Sequence, residues 1–166
     1  MLYTSSEAAK LLKKLNEEKI AIETLENQSS VFKAAVGEDI ESVRPDYNYS
    51  ETQDKILALE VKIRKVKHAI NIFNVNQVIP EFDMTIDEML VYIPQLTRKK
   101  AKLLSMQSRL PKKREYSGSS NIIDYSYTNY DIQRVNEDYT KISDELSRAQ
   151  TALDVVNNQE KFEINI

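Results

Sequence analysis

Hydrophobic positions recur at steps of three and four residues along four stretches of this chain, the spacing that marks one face of an α-helix. The most regular stretch runs from Ser50 to Asn76, where Ile56, Leu59, Ile63, Val66, Ile70 and Phe73 form one stripe. Ser50 followed by Gln53 reads as a capping box, and neither Pro nor Gly interrupts before Pro80. At about 1.5 Å per residue such a helix is roughly 40 Å long. Asn74 and Asn76 suit its end, because Asn tolerates the left-handed conformation that closes helices.

The same reasoning predicts three further helices. Thr4 and Glu7 make a capping box ahead of a helix over 5–35, whose stripe is Ala8, Leu11, Leu15, Ile22, Leu25 and Phe32. Leu12 and Ile20 widen its apolar face, and Gly37 stands where a C-cap is expected. Thr85 and Glu88 open a helix over 86–110 carrying Ile86, Met89, Ile93, Leu96, Leu103 and Leu110. Pro94 lies inside it and is expected to kink it rather than split it. Thr128, with Asp131 in place of the usual Glu, opens a helix over 129–157 with Ile132, Val135, Tyr139, Ile142, Leu146, Ala149, Leu153 and Val156.

Two long connectors separate these helices. Residues 38–54 carry six acids against Arg44 alone, and Pro45 with Tyr47-Asn48-Tyr49 reads as loop rather than helix. Residues 112–127 form the other, with a short extended segment expected near Ile122 to Tyr127. The helix ends Ala69 to Asn74 and Ala152 to Asn157 are alike, as in a repeated helical hairpin. The expected fold is therefore all-α: a single antiparallel four-helix bundle of two hairpins, with both connectors at one end.

Composition narrows the class. The 166 residues suit one domain, and Gly 2 with Pro 4 is too little for a β-rich chain. A net charge of −3 gives no strong nucleic-acid signal, and Cys 0 removes disulfides and thiolate chemistry. No run of about 18 apolar residues predicts a membrane span, and Met1-Leu2-Tyr3-Thr4 has neither the basic nor the apolar region of a signal peptide. A cytoplasmic protein is the expectation.

Candidate chemistry is sparse. His68 is the single histidine and falls on the outward side of its helix, so no di-iron site is indicated, and Gly is too scarce for a phosphate-binding loop. No catalytic residue, metal site or cofactor is assigned. Arg98 to Arg114 holds eight cations and no acid. Part of this complements a helix C-terminus. The rest adjoins Tyr116, Ser117 and Asn121, so Lys112, Lys113 and Arg114 with these donors, and Tyr125, Tyr127 and Tyr130 for stacking, form a candidate site for a phosphorylated ligand or nucleotide. The tyrosine-rich connectors equally suit a subunit interface.

On Met84-Thr85-Ile86-Asp87-Glu88, Tyr116-Ser117, the Asp124 to Asp131 segment and Leu153 to Asn158, the chain resembles the septicolysin-like family of small helical bacterial proteins. That resemblance implies a helical fold, and the family's name implies a cytolysin. The chain lacks the long amphipathic hairpin that an inserting toxin requires. The expected function is a non-enzymatic, self-associating helical protein. A binding protein for a phosphorylated ligand is the alternative, and a membrane-active toxin is the least favoured.

Overall fold

The structure is a computed structural model that describes residues 1–115 and 123–166. It corrects the all-α expectation: among the described residues, alongside five helices, six strands pair into three two-stranded antiparallel sheets, so the fold is mixed α/β and not a pure four-helix bundle. The strands are two to four residues long, too short to display a period of two against the helical pattern. The chain divides into two compact units, residues 1–76 with 156–166, and residues 77–155.

In the first unit, β1 (Leu2–Thr4) leads directly into α1 (Ser5–Ser29). Thr4 ends the strand and caps the helix: its Oγ1 accepts from Glu7 N at 3.2 Å, and Glu7 Oε2 accepts from Thr4 N at 2.9 Å. The acidic connector, read from the sequence as loop, holds a short α2 (Ile40–Val43) capped by Asp39, and α3 (Tyr49–Asn76) follows. The first turn of α3 is held by Asn48, whose side chain accepts from Glu51 N at 3.3 Å, and not by Ser50. Ala8 and Leu15 of α1 pack with Leu59, Ile63 and Val66 of α3 and with Ile164, which follows β6 (Lys161–Glu163). β6 pairs with β1, the Met1 ammonium donates to Ile164 O at 3.1 Å, and Phe73 stacks on Phe162 with ring centroids 4.4 Å apart.

α1 stops at Ser29, six residues before its predicted end, and Leu25 near that end is largely exposed. Gly37 does adopt a left-handed φ of 88°, but within a turn closed by Glu38 N to Ala35 O, and not as a helix cap.

The second unit opens the same way. β2 (Val78–Ile79) turns through residues 80–83 into β3 (Met84–Thr85), with Asp83 at a φ of 51°, which Asp tolerates. Thr85 ends β3 and caps α4 (Ile86–Gln107) through a reciprocal box with Glu88. Pro94 sits within this helix and does not split it. α5 (Ile132–Gln159) begins three residues after its predicted start and is capped by Asp131, whose Oδ1 accepts from Gln133 N at 2.8 Å, and not by Thr128. Ile79, Ile86, Met89, Leu96 and Leu103 are buried, as are Val135, Ile142, Leu146 and Ala149 of α5. The Tyr92 hydroxyl donates to the Glu145 carboxylate, and the Arg148 guanidinium reaches Glu81 at 2.8 Å. Among the described residues, no helix is long and apolar enough to cross a membrane.

Candidate functional site

The basic end of α4 leads into a hairpin that the sequence presented only in outline. β4 (Lys112–Glu115) pairs antiparallel with β5 (Asp124–Tyr127), with Lys112 opposite Tyr127, Lys113 opposite Ser126, Arg114 opposite Tyr125 and Glu115 opposite Asp124. Directly opposed residues share a face and alternate along the strand. One face thus carries Lys112, Arg114, Tyr125 and Tyr127, and the other Lys113, Glu115, Asp124 and Ser126. The hairpin is anchored at its base, where Thr128 N donates to Pro111 O at 3.1 Å. The Tyr130 hydroxyl donates to Met106 O at 2.8 Å, filling one of the carbonyls that a helix leaves without a partner at its C-terminus.

The predicted site residues therefore separate by role. The Lys112 ammonium lies 4.1 Å from the Tyr125 ring centroid and 5.5 Å from that of Tyr127, so these three come together as a cation–π group. Lys113 faces the other way and pairs with Glu115 at 3.5 Å. Arg114 shares the face of Lys112, and Tyr130 is a structural tie rather than a stacking platform. Tyr116, Ser117 and Asn121 lie outside the described residues.

Beneath the hairpin is a hollow of about 820 Å³, with Arg109, Lys113, Glu115, Tyr127, Thr128 and Asn129 among its walls. Glu115 and Asn129 were not picked out from the sequence, Thr128 was read only as a helix cap, and Arg109 only as part of the basic run. The signal was the period of two: once 112–115 is a strand, Lys113 and Glu115 must share a side. The Ser126 hydroxyl donates to Glu115 at 2.9 Å. That bond first, and then the Lys113 ammonium, holds the Glu115 carboxyl below the usual carboxylate range, so the hollow combines cations with a fixed anion.

His68 is exposed, as expected, and borders a different depression of about 610 Å³ in the first unit, with Ile72, Phe73 and Phe162. That surface is mainly apolar. Among the described residues, no three His, Asp or Glu side chains gather as metal ligands would.

No protein-family model matches the chain, and no curated protein does. A solved structure described as that of a functionally unknown conserved protein from Corynebacterium diphtheriae is similar to it, with a TM-score of 0.63 at 15% identity, covering 98% of this chain and 100% of that one. At that identity the likeness establishes the fold and nothing of the activity.

Proposed function

We infer that the protein is a non-enzymatic helical protein that associates with further copies of itself through helix faces its own core does not use. The observation that carries this reading is a second apolar stripe on α3. Leu57, Val61, Ile72 and Val75, with Arg64 and His68 at the intervening steps, repeat every three or four residues on the side away from Leu59, Ile63 and Val66. Leu57 is 56% exposed and Val75 57% exposed. A similar row on α4, Leu90, Pro94, Thr97, Ala101 and Leu104, is exposed throughout. A helix with one seam spent on its hairpin partner and another left in water has the pattern of an interior helix in a larger assembly. Kinship with the septicolysin-like proteins and a cytoplasmic setting belong to the same proposal.

Sedimentation equilibrium at tens of micromolar tests it. The expected result is a multiple of the 19.2 kDa chain mass, reduced to that mass by Leu57→Glu combined with Ile72→Glu. Because both positions are exposed, the variant keeps its fold, which circular dichroism checks. A wild-type chain that sediments as a monomer ends the proposal.

A further inference from the structure

We propose that the hollow between the C-terminal end of α4 and the β4–β5 hairpin binds a mononucleotide. This goes beyond self-association and stands on separate observations. Arg109 borders the hollow and forms no ion pair among the described residues, so its five guanidinium donors are available to a phosphate. The Lys113 ammonium borders the same space, but it is paired with Glu115 at 3.5 Å, so Arg109 is the leading phosphate ligand and Lys113 a shared one. Glu115, an anion in the same wall, repels additional phosphates and accepts from sugar hydroxyls, which favours a monophosphate over a di- or triphosphate. Tyr127 belongs to the Lys112 face of the hairpin, where that ammonium lies 5.5 Å from its ring centroid, but it also borders the hollow and, 65% exposed, offers it ring surface for a purine or pyrimidine. Stacking tolerates any base, so the chemistry selects the class of ligand and not the nucleobase. Thr128 and Asn129 add neutral donors and acceptors, and about 820 Å³ lies within the range of small-ligand sites.

Calorimetric titration of the full chain with AMP, GMP, CMP and UMP, with inorganic phosphate and adenosine as separate arms, tests the proposal. The mononucleotides are expected to saturate and to bind more tightly than either fragment. Arg109→Glu is expected to weaken AMP by about tenfold or more, as loss of a charged hydrogen bond does. Tyr127→Ala is expected to weaken AMP more than inorganic phosphate. Arg98→Glu removes a cation of α4 that does not border the hollow and is expected to bind as the wild type does. Should a variant unfold, amide shifts on adding AMP to the wild type decide, supporting the site if they cluster at residues 108–115 and 126–130. The proposal is overturned if no mononucleotide saturates, if inorganic phosphate binds as tightly as AMP, if the amide shifts lie elsewhere, or if Arg98→Glu weakens binding as much as Arg109→Glu. Sedimentation reports separately on self-association, so the two readings fail independently.

Discussion

Glu26, near the end of α1, accepts from the Tyr47 hydroxyl and from Gln53 Nε2, both at 2.7 Å, and so ties the acidic connector and the start of α3 back to the first helix. The hydrogen bond to the Glu26 carboxylate, reinforced by desolvation, raises Tyr47 from 10.0 to about 12. A raised pKa means that the folded state favours the protonated phenol. Its contribution is therefore complete below pH 10 and is lost as pH rises towards 12. Titration of tyrosinate absorbance at 295 nm is expected to show late-ionising phenols, one fewer of them in Tyr47→Phe, because Tyr92, which donates to Glu145, is raised as well. Full ionisation of every tyrosine near pH 10 would contradict the bond. At the same scale, Met89 is wholly buried, and Met89→Ala is expected to lower the unfolding free energy by about 2–5 kcal/mol in a denaturant titration.

Among the elements, the four long helices were legible, and of the strands only β5 was foreshadowed, for a physical reason. α3 begins within a residue of its predicted start because six apolar positions at helical spacing outweigh any local ambiguity. The cap was misread: Ser50 fits the capping pattern, yet Asn48 occupies the position that faces the free amides. Denaturant titration is expected to show Asn48→Ala costing about 1 kcal/mol, with Ser50→Ala nearly neutral. An equal loss at both positions would contradict the assignment. The misplaced end of α1 has a similar origin, since Phe32 prolongs the apolar spacing after the backbone has turned away. β4 was invisible because Lys-Lys-Arg-Glu has no apolar residue to alternate, and only its partner, Asp-Tyr-Ser-Tyr, carried a strand signal. The candidate site suffered accordingly. Residues of both strands were named together, but without the strand register Lys112 and Lys113 looked equivalent, when one faces tyrosine rings and the other a carboxylate.

At the scale of the molecule, each unit starts with the same device, a threonine that finishes a strand and opens a helix three residues before a glutamate. The units differ in how they are completed, because the first needs residues from both ends of the chain. Ile164 is 1% exposed among α1 and α3 side chains, and β6 supplies the partner of β1. Removal of residues 160–166 is expected to speed amide hydrogen exchange in α1 and α3 while α4 keeps its protection. Uniform acceleration throughout the chain would show instead that the two units unfold as one.

The proximity of Met1 to Ile164 carries a practical consequence. With the amino terminus 3.1 Å from the Ile164 carbonyl, a short Gly-Ser bridge is enough to join the two ends, and new ones can be opened in the exposed stretch near Gly37. Such a circular permutant would make the β1–β6 ribbon an internal hairpin, lowering the loss of chain entropy on closing the first unit.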